Sequence, residues 1–441
     1  MLLSPRLRAV IARRDRVTRL AELCHALIAE QGEPSSAALA MDALEVYAAL
    51  DDDGRAEFFD VLAHDFAPQS EAVLRAIDAY RAAPSTQSLA ALAQAVEAPR
   101  QELFRRLNMA PGGTSALVGL RGRILAALRK NPELQPVESD LAHLLRSWFN
   151  RGFITLHRVD WHTPAHILEK LIRYEAVHEI NGWDDLRRRL AADRRCFAFF
   201  HPALPDEPLI FVEVALVRGL ATTVQPLLDP QSPVADAERA DAAIFYSISD
   251  CQPGLHGISF GNFLIKQVAA ELEGELHKVK TFATLSPVPG FRVWLESVVP
   301  QLTLFPGGVG LAAWLEKNRG AHARAATPPD EALRELLLGL CAHYLMRVHR
   351  DDDRPQDPVA RFHLRNGARL ERINWAADQS PRGVAQSAGI MVNYLYELDE
   401  VERNHEAFVN EGKISVSRRV ETLAKALRWP EPQTVEPAAA G

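Results

Sequence analysis

The stretch AAIFYSISDCQPGLHGISFGNFLIKQVAAEL, residues 242–272, joins an apolar run, a glycine-bearing loop and an amphipathic segment. The run 242–248 is typical of a buried strand, and 262–272 has apolar residues spaced as in a helix. Three glycines within 254–261 let the backbone approach a ligand closely, and the free N–H groups of a helix start favour an anion such as a phosphate. The Gly-x-Gly-x-x-Gly and Walker patterns are both absent, so neither a Rossmann site nor an ATPase is indicated. A plain tight turn is the alternative for this loop.

Patterns around this stretch predict two domains and a tail. Further strand-like runs lie at 196–201, 209–216, 279–285, 368–375 and 389–396, and helix-like patterns at 164–180, 291–299 and 333–349. Interspersed strands and helices predict a mixed α/β domain over 151–430. Residues 1–150 show helical periodicity interrupted at clusters of Gly, Pro, Ser and Asp, which predicts an all-helical bundle for oligomerisation or interaction. Residues 320–330 are predicted to form a surface loop, and 431–441 a Pro/Ala-rich tail.

Composition excludes some classes of protein. The 441 residues are 47% hydrophobic and carry 50 Lys+Arg against 57 Asp+Glu, a net charge of −7. This balance argues against a nucleic-acid partner. The apolar run 209–216 is interrupted by Glu213 and is far shorter than the ~20 residues of a membrane span, so no membrane partner is expected. Four cysteines far apart, with no Cys-x-x-Cys pair, predict reduced thiols and a cytoplasmic protein.

Two polar side chains are candidates for chemistry. Ser286 ends a β-type run and is followed by Pro287 and Pro289, so its hydroxyl can point into a cleft; a turn cap is an equally common use of Ser before Pro. His363 lies between Phe362 and Leu364, and an imidazole in partly apolar surroundings can act as a general acid or base. The common alternative is a histidine whose role is structural.

Three spacings resemble those of metal ligands. They are Glu22-x-x-His25, Glu175-x-x-His178 and His162-x-x-x-His166. No pair of bridging glutamates on further helices completes a set, so the sequence predicts no metal site.

Seven segments carry a resemblance to a known family. They are SWFNRGF at 147–153, TPAHILEK at 163–170, IRYEAVH at 172–178, FFHPALP at 199–205, GNFLIK at 261–266, LSPVPGF at 285–291 and HLRNGA at 363–368. With them the chain resembles malonyl-CoA decarboxylases, from the helical module to near its C-terminus. The resemblance implies a helical N-terminal domain, a catalytic domain of the N-acetyltransferase superfamily fold, and assembly as a homo-oligomer, usually a tetramer.

The resemblance also implies site residues. The family's catalytic serine and histidine fall on Ser286 and His363. Substrate-binding positions fall on His256, Gly257, Ile258, Ser259, Phe260, Gly261, Asn262, Asn366 and Tyr396, with the first seven forming the CoA-contacting loop. Animal members carry a glutamate where this loop has Ser259, so no acid role is assigned there.

The implied reaction converts malonyl-CoA to acetyl-CoA and CO2 through a thioester enolate that a histidine protonates. No cofactor is expected, because the thioester carbonyl itself accepts the electron pair. CoA is anionic while the chain is acidic overall, so a local basic patch using Lys266 or Lys280 is expected. Two alternatives stay open: an acyl-CoA-dependent acyltransferase on the same fold, and a non-catalytic acyl-CoA-binding or scaffold protein.

Overall fold

The computed structural model describes residues 5–258, 264–302, 305–317, 331–350 and 354–427. The chain forms two compact units. The first comprises Met1–Thr155, Phe199–Ile210 and Asp250–Gly261, and the second comprises Leu156–Ala198, Phe211–Ser249 and Asn262–Gly441. The predicted surface loop at 320–330 and the tail at 431–441 lie outside the described residues. The predicted boundaries at 150 and 430 stay a prediction.

The N-terminal region is helical where it is described. Its helices are α1 (Pro5–Ala29), α2 (Glu33–Ala48), α3 (Asp52–His64), α4 (Ser70–Ala82), α5 (Thr86–Val96), α6 (Pro99–Met109), α7 (Gly113–Ala127) and α8 (Gln135–Trp148), with 3-10 turns at Pro132–Leu134 and Arg151–Phe153. The helix breaks coincide with the Gly, Pro, Ser and Asp clusters of the sequence. Asp51, for example, caps α3 by accepting a hydrogen bond from the Gly54 N–H at 2.8 Å. The helical prediction for this region is confirmed.

A mixed sheet follows. Its strands are β1 (Thr155–Val159), β2 (Arg194–Phe200), β3 (Ile210–Val217), β4 (Ala242–Asp250), β5 (Thr281–Thr284), β6 (Ser286–Pro287), β7 (Arg369–Asn374) and β8 (Met391–Leu395). The order is β1-β2-β3-β4-β5-β8-β6, and β7 also pairs with β8. Strands form in all six predicted runs. The sequence did not predict β1, a five-residue strand that is mostly exposed and therefore lacks a clear apolar alternation.

Helices are interspersed with these strands. They are α9 (Ala165–Tyr174), α10 (Trp183–Arg189), α11 (Gln225–Leu228), α12 (Leu264–Glu275), α13 (Phe291–Ser297), α14 (Val299–Leu302), α15 (Gly308–Lys317), α16 (Glu331–Arg347), α17 (Pro358–Arg365), α18 (Pro381–Ser387), α19 (Val401–Glu411) and α20 (Arg418–Ala426), with 3-10 turns at Ala237–Arg239 and Pro253–Leu255. A helical region followed by a mixed α/β domain is therefore the fold class, as predicted.

One predicted helix is shorter than expected. The pattern at 164–180 predicted a single helix, but α9 ends at Tyr174 because Glu175 turns the chain. The Glu175 carboxylate accepts the backbone N–H groups of Val177 and His178, each at 2.8 Å, and the Ser247 hydroxyl at 2.7 Å. A residue 72 positions away thus helps end the helix, which local periodicity cannot reveal.

The pairing of β4 with β5 determines where the candidate site lies. The two strands are parallel and pair from Ala242 with Thr281 to Phe245 with Thr284. Beyond that point Ser286 pairs with Val392 of β8. The parallel pairing in the described residues therefore ends just before Ser286, at the carboxyl end of β5.

Among the described residues, no helix is both long and apolar enough to cross a bilayer. All four cysteines are buried, and burial raises the pKa of the Cys24 thiol to about 12.

Candidate active site

Helix α17 holds His363 at a fixed position. Asp357 caps its start by accepting the Ala360 N–H at 2.8 Å, and Pro358 follows at the first helical position. The helix ends at Arg365 with Asn366 as its C-cap, and Gly367 has a φ of +81°. A Cβ on Gly367 would overlap the carbonyl of Val401, so both the conformation and the close packing require glycine there. His363, one turn before this end, is buried.

Ser286 and His363 lie in hydrogen-bond contact. The Ser286 Oγ and the His363 Nε2 are 3.0 Å apart, although the residues are separated by 77 positions in the sequence. Ser286 is 7% exposed and His363 is 3% exposed, so the pair is almost completely shielded from water. A hydroxyl next to an imidazole is a common arrangement for proton transfer at an active site.

Two further side chains extend this contact into a chain of hydrogen bonds. The Ser286 hydroxyl donates to Thr284 Oγ1 at 2.9 Å, and the Tyr396 hydroxyl lies 2.8 Å from His363 Nδ1. Because Ser286 has a single proton, which points to Thr284, the hydrogen between Ser286 and the ring belongs to His363 Nε2. Nδ1 of this tautomer accepts from Tyr396, so the donors run from Tyr396 through His363 and Ser286 to Thr284.

The surroundings keep the ring neutral. His363 stacks on Tyr394 with ring centroids 4.6 Å apart and an angle of 25° between the planes. Burial lowers the pKa of His363 to about 3 and raises the pKa of Tyr396 well above its ordinary value. Neutral imidazole and neutral phenol are therefore the resting forms at pH 7.

Sequence reasoning missed Thr284. Its Oγ1 accepts both the Ser286 hydroxyl and the Tyr394 N–H, the latter at 3.2 Å, and its carbonyl accepts from Asn393 Nδ2 at 2.8 Å. Thr284 is completely buried. Residues two apart on an extended chain share a face, so the spacing to Ser286 was the signal that could have identified it.

Tyr396 also lines a cavity. The cavity has a volume of about 650 Å³, and its walls include Lys280, Glu397 and Asp399. The space is large enough to hold many water molecules.

Asn366 is buried at the C-terminal end of α17, the helix that carries His363. Its Nδ2 donates to the carbonyl of Phe362 at 2.8 Å, near the C-terminal end of α17. Its predicted role in substrate binding stays a prediction.

The predicted CoA loop is described only in part. His256, Gly257 and Ile258 are described, and Gly257 has a φ of +76°, whereas Ser259, Phe260, Gly261 and Asn262 lie outside the described residues. The described part belongs to the compact unit that contains the N-terminal helices, and the Ser286 and His363 pair belongs to the other unit.

The two lysines of the predicted basic patch are both paired with glutamates. Lys266 Nζ lies 2.7 Å from Glu402, and Lys280 Nζ lies 3.0 Å from Glu273. Their contact with CoA stays a prediction.

The metal-like spacings do not form clusters in the described part of the chain. No group of three or more His, Cys, Asp or Glu side chains there could hold a metal ion. His25 stacks on Phe66 at 4.4 Å, and the Glu175 carboxylate is occupied by the hydroxyls of Ser247 and Ser249.

Comparison with known proteins identifies the family. The model of the malonyl-CoA decarboxylase N-terminal domain matches residues 66–149, and that of the C-terminal domain matches residues 152–434. The chain belongs to the malonyl-CoA decarboxylase family. The resemblance inferred from the seven sequence segments is confirmed.

Relatives and solved structures in this family match most of the chain. The mitochondrial malonyl-CoA decarboxylase of Anser anser anser is 36% identical over 399 residues, which are 83% of this chain and 79% of the relative. The crystal structure of malonyl-CoA decarboxylase from Rhodopseudomonas palustris is 48% identical with a TM-score of 0.84, and covers 92% of this chain and 99% of its own. The crystal structure of malonyl-CoA decarboxylase from Cupriavidus metallidurans is 38% identical with a TM-score of 0.72, and the match covers 93% of this chain and 99% of that chain.

Proposed function

We propose that the chain catalyses the decarboxylation of malonyl-CoA to acetyl-CoA and CO2. Membership of the family supports this activity. The observation that carries the proposed mechanism is the buried 3.0 Å contact between Ser286 Oγ and His363 Nε2, which joins two residues of family motifs that lie far apart in sequence.

The chemistry defines three tasks for the protein. Loss of CO2 breaks the bond between the carboxylate and the α carbon, and the electron pair moves into the thioester carbonyl to give an enolate. The thioester is the electron sink, so the reaction does not need a prosthetic group. The protein has to orient the carboxylate out of the carbonyl plane, stabilise the enolate oxygen and protonate the carbon. By analogy with oxyanion holes, one oriented donor contributes about 3–4 kcal/mol.

The hydrogen-bonded chain supplies residues for these tasks. When substrate binds, the Ser286 hydroxyl turns from Thr284 to donate to the thioester or the carboxylate. His363 delivers its Nε2 proton to the enolate carbon, while the Tyr396 hydroxyl gives its proton to Nδ1. Tyr396 regains a proton from solvent before the next turnover. The proton donor is a neutral ring, because burial lowers the pKa of His363 to about 3.

CoA recognition is assigned to the loop 256–262, whose N–H groups hold the diphosphate. The domain is proposed to have the N-acetyltransferase superfamily fold. Two features support this: the parallel pairing of β4 and β5 ends after Phe245 and Thr284, and the glycine-bearing loop after β4 leads into α12. No acid role is proposed for Ser259.

The remaining expectations concern organisation. The protein is proposed to be a cytoplasmic homo-oligomer, a tetramer by family resemblance, with residues 1–150 as its oligomerisation or interaction domain, 151–430 as its catalytic domain and 431–441 as a tail. Size-exclusion chromatography with light scattering tests the subunit number.

A product assay tests the activity. Purified protein is incubated with malonyl-CoA, and in parallel with methylmalonyl-CoA, and CO2 is quantified together with acetyl-CoA from the first substrate and propionyl-CoA from the second. Equal amounts of both products without an added acceptor support decarboxylation. Product only when an amine acceptor is added would indicate an acyltransferase, and binding without product would indicate an acyl-CoA-binding protein.

A further inference from the structure

The pairing of β8 with β5 and β6 is interrupted just before Ser286. Ala283 pairs with Leu395 and Ser286 pairs with Val392, so the register is the same on both sides of the interruption. Within it, the Leu285 N–H donates to a carbonyl of β4 at 2.9 Å. Buried backbone groups that leave a strand ladder need other partners, and here those partners determine the path of the chain into Ser286.

Hydrogen bonds of two side chains, Thr284 and Asn393, lie at this interruption. The Thr284 carbonyl accepts from Asn393 Nδ2 at 2.8 Å, and the Tyr394 N–H donates to Thr284 Oγ1 at 3.2 Å. The same Oγ1 accepts the Ser286 hydroxyl at 2.9 Å. Asn393 therefore holds the backbone of the residue whose side chain orients Ser286.

The amide of Asn393 is completely buried, and all of its hydrogen-bonding capacity is used within the protein. Its Nδ2 also donates to the carbonyl of Ala221 at 3.1 Å, and its Oδ1 accepts from Asn374 Nδ2 at 2.8 Å and from Arg372 Nε at 3.2 Å. An amide has two donors and two acceptor sites, so these four bonds saturate it. Because a guanidinium only donates and a carbonyl only accepts, a flipped amide would place like groups against each other. The direction of Nδ2 toward Thr284 is therefore fixed.

Arg372 connects this amide to the segment that follows β3. Its Nη2 donates to the carbonyls of Leu220 and Ala221, at 2.9 and 3.4 Å, and its side chain is half-buried on β7. Every residue of this cluster lies in the same compact unit as Ser286. Contacts from β7, β8 and the segment after β3 thus converge on Asn393, which makes its position rigid.

We propose that Asn393 is a positioning residue for Ser286 that acts through Thr284, an inference that rests on the proposed function of Ser286. The bond to the Thr284 carbonyl fixes the orientation of that residue and hence the place of its Oγ1. A fixed Oγ1 keeps the Ser286 oxygen at 3.0 Å from His363 Nε2, ready for the substrate. Because Asn393 acts through the Thr284 hydroxyl, its loss cannot lower the rate by more than the loss of that hydroxyl.

A double-mutant cycle tests this coupling by steady-state acetyl-CoA formation. Thr284→Val removes the Oγ1 and is expected to lower kcat roughly tenfold. Asn393→Asp keeps the shape of the side chain but places an oxygen against the Thr284 carbonyl, so kcat is expected to fall about three- to tenfold, with KM for malonyl-CoA within about threefold of wild type. Without the Thr284 hydroxyl there is nothing left for Asn393 to position, so the double variant is expected to have a kcat within about twofold of that of Thr284→Val.

Asp193→Asn serves as the control for a general loss of stability. Asp193 is 2% exposed, pairs with Arg188 at 2.7 Å, and immediately precedes β2, which β3 and β4 separate from β5. This substitution also exchanges one atom of a buried, hydrogen-bonded group in the same unit. It should lower the free energy of unfolding in urea but leave kcat within about twofold of wild type.

Three outcomes would overturn the proposal. They are a kcat of Asn393→Asp within about twofold of wild type, losses that multiply in the double variant, or an equal loss of kcat in Asp193→Asn. If Asn393→Asp does not fold, Arg372→Met removes one donor to Asn393 Oδ1 and keeps the aliphatic stem; kcat should then fall about threefold, and a wild-type kcat would overturn the proposal. A wild-type protein that releases no CO2 from malonyl-CoA would instead refute the proposed function, which keeps the two failures distinct.

Discussion

Removing the Tyr396 hydroxyl tests the proposed proton path at its far end. In Tyr396→Phe the ring of His363 loses its partner at Nδ1, a contact of 2.8 Å between two buried groups. A buried acceptor without a partner costs about 1–3 kcal/mol. The cost falls on the transition state, because Nδ1 must gain a proton as Nε2 loses one. At about 1.4 kcal/mol per factor of ten, kcat is expected to fall roughly 10- to 100-fold.

KM for malonyl-CoA should remain within about twofold of wild type, because the Tyr396 hydroxyl is engaged by His363 Nδ1 at 2.8 Å. The assay is acetyl-CoA formation under steady-state conditions over a range of malonyl-CoA concentrations. Unfolding of the variant in urea checks that the fold is intact.

Tyr394→Phe is the matched control. Tyr394 stacks on the same ring, and its hydroxyl is buried with no hydrogen-bond partner among the described residues. Its removal keeps the stacking and should leave kcat within about twofold of wild type. A wild-type kcat for Tyr396→Phe, or equal losses in the two variants, would refute the proton path.

Other predictions concern the same chain of hydrogen bonds. Thr284→Val removes the acceptor that orients the Ser286 hydroxyl and should lower kcat roughly tenfold, with Thr284→Ser restoring most of it in the same steady-state assay. Because the pKa of His363 is lowered to about 3 and that of Tyr396 is raised, kcat should not change with pH from about pH 5 to 9. A change in kcat that follows a pKa near 6.5 would contradict proton donation by a neutral His363. The pKa of His363 is lower in the folded protein than in the unfolded chain, so below about pH 6.5 the unfolded chain binds a proton that the folded protein does not. The free energy of unfolding should therefore fall as pH is lowered from about 6.5 toward 3, by up to about 1.4 kcal/mol per pH unit. In urea unfolding at pH 7, 6 and 5, the free energy of unfolding of His363→Asn should fall less steeply with decreasing pH than that of wild type, by up to that slope. An equal pH dependence of the two proteins would contradict this prediction.

The sequence predicted the elements that depend on local pattern. Residues of β4 are nearly all apolar, and the breaks between the N-terminal helices fall at turn-forming residues, so both were visible in the periodicity. The helix over 164–180 was predicted too long, because the Glu175 carboxylate that ends it is held by Ser247 and Ser249 from a distant strand.

The sequence predicted which residues belong to the candidate site but not the hydrogen bonds between them. Motif resemblance selected Ser286, His363 and Tyr396. The hydrogen bond between Ser286 and His363 depends on how the fold brings β6 and α17 together, because the two residues are 77 positions apart in the sequence. Thr284 lies two residues before Ser286 and shares its face of the chain, but it was missed because it lies just outside the family segment 285–291 and acts only on the orientation of the Ser286 hydroxyl.

The central claim is that His363 protonates the enolate formed from malonyl-CoA. The most direct measurement compares single-turnover acetyl-CoA formation by wild type and His363→Asn, together with the Kd of malonyl-CoA for each. We predict a Kd within about threefold of wild type and a rate at least about 100-fold lower, within the range that general acids contribute. A variant that binds malonyl-CoA and converts it at the wild-type rate would contradict the claim.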